Sequence, residues 1–264
     1  MSLSPLMRMV FGLWFALVGL FLVFPLLMLV PISVSPTQFL RFPPEGFSLR
    51  WYATFFTERS WVESTWLSIQ IGAAATVLSL GFGTAAALAI VRGNFPGRRL
   101  LYGLMIAPLI VPAVILALGL FLVLAKAKLL ESMPALIAAH TVIALPYVVL
   151  IVAAALRNLD QTLERAARVM GASPLGAFRH VTMPAIAPAL FAGGLFAFFA
   201  SFDELVITYF ISGAIETLPL RIWNDLNLRL DPTVAAVAGR LILVSVVGMG
   251  GAEWLRRRTL PSQE

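Results

Sequence analysis

The sequence has no cysteine and only two histidines, His140 and His180. A disulfide framework and a thiolate metal site are therefore excluded, and two distant histidines do not make a zinc centre. Charge is scarce as well: 12% of the residues are charged, where a soluble domain carries roughly a quarter. No Gly-Lys pair occurs, so no P-loop is available to bind ATP. There is no low-complexity segment, and no internal repeat of the kind many secondary transporters carry. No nucleophile–base pair marks an intramembrane enzyme. What the chain has in excess is apolar surface: 60% of its 264 residues are hydrophobic, too much for one water-soluble core of this length. Lipid has to be part of the solvent.

A span needs about 20 mostly apolar residues to cross the hydrocarbon core. Six stretches qualify: residues 9–34, 64–91, 100–125, 134–156, 186–211 and 233–255. The first is longer than the ~7–15 apolar residues of a signal peptide and shows no small-x-small cleavage site, so it reads as a retained anchor. The expected fold class is thus an all-α integral membrane protein of about six transmembrane helices, with residues 1–264 forming one transmembrane domain.

The net charge of +6 does not point to nucleic acid, because the basic residues cluster at the ends of apolar runs. With the N-terminus placed inside, the inward segments hold Arg8, Arg92, Arg98, Arg99, Arg157, Arg165, Arg168, Arg179 and Arg256 to Arg258. The outward segments hold fewer: Arg41, Arg50, Arg59, Lys126, Lys128, Arg221 and Arg229. This bias predicts a multi-pass protein with both termini cytoplasmic. In the first outward loop, Phe47-Ser48-Leu49-Arg50-Trp51-Tyr52 reads as a short amphipathic helix at the membrane interface, where Trp and Tyr are favoured. Trp51 is also a candidate for contact with solute or a soluble partner.

The inward loop 157–185 carries the signals of two short helices. Asn158 or Asp160 can cap the first, Gly171 suits the left-handed position past its end, and Ser173-Pro174 starts the second. Pro184 is expected to separate that second helix from the fifth span. Leu163, Ala166, Ala167 and Met170 fall at 3-4-3 spacing and form an apolar face with no partner in their own loop. Such a face is suited to docking a soluble protein.

Glu164-Arg165-Ala166-Ala167-x3-Gly171-x9-Val181-Thr182-Met183-Pro184 resembles the EAA loop of binding-protein-dependent ABC importer permeases. That pattern reads Glu-Ala-Ala, three residues, Gly, nine residues, then Ile-x-Leu-Pro. Ala166, Ala167, Gly171 and Pro184 match in spacing; Arg165 stands where the pattern has Glu, with Glu164 one position earlier. Pro108-Leu109-Ile110-Val111-Pro112, Ser201-Phe202-Asp203-Glu204 and Thr217-Leu218-Pro219 are similar to the spermidine/putrescine branch, and within it to the second permease subunit. The resemblance implies a type I ABC importer permease in the bacterial cytoplasmic (inner) membrane. It implies a homologous second permease subunit forming a heterodimer, two ATPase subunits and a periplasmic substrate-binding protein. ATP and Mg would belong to the partner ATPase, with no cofactor or metal on this chain and no enzymatic activity of its own. The ATPase-coupling residues would be Glu164, Arg165, Ala166, Ala167, Met170, Gly171 and Pro184.

Asp203, Glu204 and Arg240 lie inside predicted spans, and such charges are functional candidates by default. On continuous antiparallel helices Asp203 and Arg240 reach a similar depth, so Arg240 is expected to pair with Asp203 or Glu204. Ser201, Glu204 and Thr208 share a polar stripe at i, i+3, i+7 and, with Asp203, are candidates for the substrate pathway of a cationic solute. Pro108, Pro112, Pro146, Gly193 and Gly194 either permit bending during alternating access or tune packing, with packing the favoured reading, and His140 reads as a helix-contact residue rather than a proton relay. The function expected is a translocation subunit for a small polar solute, a polyamine such as spermidine or putrescine. The alternative is a gradient-driven secondary transporter of a cationic solute, which would explain the intramembrane acids without the paired-helix loop.

Overall fold

The computed structural model describes residues 4–38, 42–228 and 232–243, and the regular structure there is helical. The chain divides into two compact units, Met1–Val62 with Ile222–Glu264, and Glu63–Arg221.

In the first unit, helix α1 (Pro5–Ser33) starts where the Ser4 hydroxyl accepts from the Met7 amide and Pro5 occupies the first turn. It is uncharged apart from Arg8, and at 29 residues it is about 43 Å long, enough to cross a bilayer. The short interface helix forms, but as α2 (Arg50–Thr57), three residues later than the Phe47 start read from sequence. It is tied to the end of α1 by a hydrogen bond between Tyr52 and Ser33 (2.9 Å) and by the Trp51 indole, which donates to the Ser35 carbonyl (2.9 Å). Helix Thr233–Leu243 is the described part of the sixth predicted span; residues 244–255 lie outside the described residues.

The second unit holds the long helix α3 (Arg59–Arg92) from Glu63 onward. The third predicted span is not one straight helix. It is α4 (Arg98–Ile110) and α5 (Ala113–Lys126), bent by 112°. The cause is Pro112, which has no amide to donate and forces Val111 before it into an extended conformation (φ −72°, ψ 130°). Its carbonyl then accepts from Ile115 and Leu116, starting α5 in a new direction. Helix α6 (Met133–Asn158) begins at Ser132, whose hydroxyl accepts from the Ala135 amide, and forms the centre of the unit.

After α6 come α7 (Gln161–Val169), α8 (Pro174–Ala177), a π-turn (Phe178–Thr182) and α9 (Met183–Phe202). From Pro174 to Phe202 the helix is continuous, so Pro184 does not end it. The π-turn explains why: the Met183 amide reaches back five residues to the Phe178 carbonyl. That widened turn absorbs the proline that a regular α-helical turn would clash with. The fifth predicted span, 186–211, is in turn interrupted. Helix α9 stops at Phe202 and α10 (Val206–Ile211) follows after Asp203-Glu204-Leu205. Helix α11 (Leu218–Leu228) is fixed by its Leu218 amide, which donates to the Ser68 hydroxyl at 2.7 Å.

Two apolar clusters are strung along α6. One joins Ile71 of α3 and Ala117 and Leu124 of α5 with Leu136 and Ala139 of α6 and Ile207 and Ile211 of α10. The other joins Ala87 of α3, Val148, Val152 and Leu156 of α6, and Ile186 and Ala197 of α9. Small residues let the helices come this close. A Cβ on Gly83 would lie 2.8 Å from Val148 Cγ1, and one on Gly193 would lie 3.5 Å from the Val148 backbone. Close backbone approach through small residues is how membrane helices pack when lipid removes the hydrophobic drive.

Candidate functional site

Three groups of residues singled out in the sequence take definite places: the inward loop, the break after Phe202, and Trp51 with Arg240.

The loop folds as its local signals require. The Asp160 carboxylate caps α7, accepting from the Thr162 hydroxyl and from the Thr162 amide (2.9 Å). Those bonds, the hydroxyl's first and then the amide's, hold the Asp160 carboxyl below its usual pKa. Gly171 adopts φ 95°, the left-handed region that ends the helix, and the Ala172 amide closes the turn onto the Ala167 carbonyl. Ser173 caps α8 through the Gly176 amide (3.0 Å).

Glu164 turns into the protein. Its Oε1 accepts from the Thr182 hydroxyl at 2.7 Å and from Arg92 Nη2 at 3.2 Å. One carboxylate therefore ties α7 to the π-turn and to the end of α3. Arg165 stays exposed on the outside of α7. Of the apolar face, Leu163, Ala166 and Met170 are exposed, and Ala167 is half-buried. Val169 at 88% exposure and Leu175 at 74% extend that face beyond what the 3-4-3 spacing indicated. Pro184 sits exposed in the first turn of α9.

At the second site the polar stripe 201–204–208 does not lie on one helix, because α9 has ended by Asp203. Its two hydroxyl residues, Ser201 and Thr208, meet again at His140. The His140 Nδ1 lies 2.8 Å from Ser201 Oγ and 3.1 Å from the Ser201 carbonyl, and Nε2 lies 3.0 Å from Thr208 Oγ1. Ser201, Thr208 and His140 are all buried. In the same layer, the buried Ser79 of α3 contacts the Thr141 carbonyl at 3.4 Å. A polar layer thus separates the two apolar clusters, and one imidazole bridges both halves of the interrupted span. His140 is a helix contact, as its setting in the sequence suggested, but its partners lie 61 and 68 residues away, where no spacing could show them.

The two acids divide their work. Glu204 accepts from the Ile207 amide at 2.8 Å and so caps α10. Asp203 is exposed in the break, and among the described residues of its unit its carboxylate has no partner. Arg240 belongs to the first unit, where its guanidinium carbon lies 5.0 Å and 4.5 Å from the rings of Phe55 and Phe56. Trp51, in the same unit, is half-buried with Arg50 4.1 Å over its ring. No group of three or more His, Cys, Asp or Glu able to hold a metal occurs among the described residues.

Long apolar helices joined by a capped loop that exposes apolar side chains define an integral membrane protein with a surface suited to docking. Residues 78–261 match the family described as binding-protein-dependent transport system inner membrane component, and the chain belongs to that family. It is the membrane-spanning subunit of an ABC importer and a multi-pass inner-membrane protein, of a family that works with an ATPase, a substrate-binding protein and a second permease. It is 34% identical over 96% of its length to the putrescine transport system permease protein PotI of Escherichia coli K12, covering 93% of that protein. It is 28% identical over 86% of its length to the spermidine/putrescine transport system permease protein PotC of Haemophilus influenzae, covering 88% of it. Its fold is similar to that of a bacterial ABC transporter involved in the import of the acidic polysaccharide alginate. The TM-score there is 0.75 at 16% identity, over 99% of this chain and 100% of that one.

Proposed function

We propose that this chain lines half of the pathway for a polyamine, putrescine or spermidine, in a heterodimer with a second permease. Two ATPase subunits, holding ATP and Mg, drive it through the loop 157–185, and a periplasmic binding protein delivers the solute. The observation that carries the solute class is Asp203, an exposed carboxylate in an interruption of an apolar span, unpaired within its unit among the described residues. An ammonium group is the natural partner of a carboxylate in a low-dielectric pathway. The two polyamine permeases that the chain resembles support the same class. Glu204 has a structural duty, so Asp203 is the acid assigned to the solute, with Ser201 and Thr208 shaping the break. Pairing of Arg240 with either acid belongs to this proposal too, as a charge balance in the unloaded state. The excess of Arg on the loop side supports cytoplasmic termini.

The test is uptake of labelled putrescine and spermidine into proteoliposomes holding the complete transporter with binding protein and ATP. Asp203→Asn should cut uptake by about tenfold, the order expected when one charge-assisted contact is lost. Saturable uptake of neither polyamine would defeat the solute assignment. Undiminished uptake by Asp203→Asn would defeat the role of that residue. Transport by this chain with no ATPase present would return the gradient-driven reading to first place.

A further inference from the structure

At the loop end of the second unit, α3, α4 and α6 enclose a cavity of about 280 Å³ lined by Ile90, Val91, Arg98, Arg99, Tyr102 and Arg157. Three of its six lining residues are arginines. Arg98 is held by the Gly93 carbonyl (3.2 Å), and Arg157 lies 6.0 Å from the Tyr102 ring. Among the described residues none of the three pairs with a carboxylate. Three positive charges with no carboxylate among them favour the entry of an anion. Ile90, Val91 and the Tyr102 ring supply the apolar part of its lining.

The depth of the cavity selects the anion. Val91 is the last apolar residue of α3 before Arg92, Arg98 opens α4, and Arg157 follows the last buried apolar residue of α6, Leu156. Three helix ends of this kind mark the level where hydrocarbon gives way to headgroups. On its opposite face α4 exposes Leu100 and Leu104, so it stands at the margin of its unit. The exposed apolar residues of the coupling loop, Leu163, Met170 and Leu175, do not line the cavity.

We propose that the cavity binds the phosphate of an anionic phospholipid, the glycerol end resting on Ile90, Val91 and Tyr102. Arg99 and Arg157 supply charge-assisted hydrogen bonds, which planar guanidinium groups make well to phosphate. Basic pockets between helices on the cytoplasmic side are suited to such headgroups.

The experiment uses the full chain in nanodiscs of phosphatidylcholine with increasing phosphatidylglycerol, reading the melting temperature and, by native mass spectrometry, the lipid retained. Phosphatidylglycerol should raise the melting temperature and remain bound, and Arg99→Gln with Arg157→Gln should lower its affinity by roughly tenfold or more. Arg157→Lys, which keeps the charge, should retain most of it. Arg99→Gln alone, at an exposed position, serves if the double variant does not fold. Equal stabilisation by inorganic phosphate in pure phosphatidylcholine would overturn the lipid as source. Unaltered phosphatidylglycerol retention in the variants would overturn the site. Loss of ATPase capture with unchanged lipid retention would reassign the cavity to the protein partner and overturn the proposal.

Discussion

Glu164 and His140 each join elements of the second unit that lie far apart in the chain. Glu164 serves Arg92 and Thr182 with one oxygen, and Arg92 has Nε and Nη1 buried without a partner among the described residues. Removing the carboxylate leaves that guanidinium still less satisfied, at about 1.5–3 kcal/mol for a charge-assisted bond. Glu164→Ala should lower the melting temperature and weaken stimulation of ATP hydrolysis by loaded binding protein. Glu164→Gln, which keeps the acceptor oxygen, should retain part of both; full stimulation in the Ala variant would refute the tie. For His140, truncation to Ala strands the buried Ser201 hydroxyl at about 1–3 kcal/mol and leaves the Thr208 hydroxyl with its bond to the Glu204 carbonyl alone. A double-mutant cycle of His140→Ala with Thr208→Val should show coupling of about 0.5–3 kcal/mol in thermal unfolding, and strict additivity would speak against the bridge. The sequence makes Glu164 visible through its motif position but not its direction. Arg165 occupies the family's Glu position and points outward, while Glu164 is turned inward by a partner 72 residues away.

At the scale of elements, the local signals were legible and the bends were not. Asp160, Gly171 and Ser173-Pro174 act within four residues of themselves, so caps and turn could be read directly. Pro112 was visible as a proline in an apolar run, and Pro184 in another. Yet one sits at a 112° bend and the other in a continuous helix. What separates them is the turn before each, an extended Val111 in one case and a widened π-turn in the other, and composition does not encode that choice. Helix contacts are similarly hidden, because Gly81 and Gly83 look alike in the sequence. A Cβ on Gly83 would lie 2.8 Å from Val148, while one on Gly81 would meet nothing within 4 Å. Gly83→Ala should therefore destabilise by about 1–3 kcal/mol through overpacking. Gly81→Ala, on an open helix face, should be neutral or stabilise by up to about 1 kcal/mol. Thermal unfolding in detergent compares the pair, and equal shifts would contradict the α3–α6 contact.

For the whole molecule, family membership was readable from one loop and three short motifs, and the comparisons over most of the chain agree with it. The interruption at Asp203 was not readable, since the run 186–211 is apolar enough for one span. The break depends on Glu204 capping α10 and on His140 holding both halves, contacts the chain makes only once folded. The π-turn at Phe178–Thr182 has a bearing on the shape of the coupling surface. A turn with one residue too many is an insertion that the helix has never expelled, and it fixes the rotational phase between Leu175 on one side and Ile186 on the other. Deleting Arg179 together with Pro184→Ala, which removes the clash that the widened turn absorbs, would let the segment relax to a regular helix and rotate the docking face by about 100° relative to α9, with Pro184→Ala alone as the control that keeps the phase. The prediction is a folded chain that still enters membranes but no longer captures its ATPase, and retained capture would show that phase does not matter. In this reading a single surplus residue works as the keying of a shaft, and the family's nine-residue interval between Gly171 and Val181 measures an angle rather than a length.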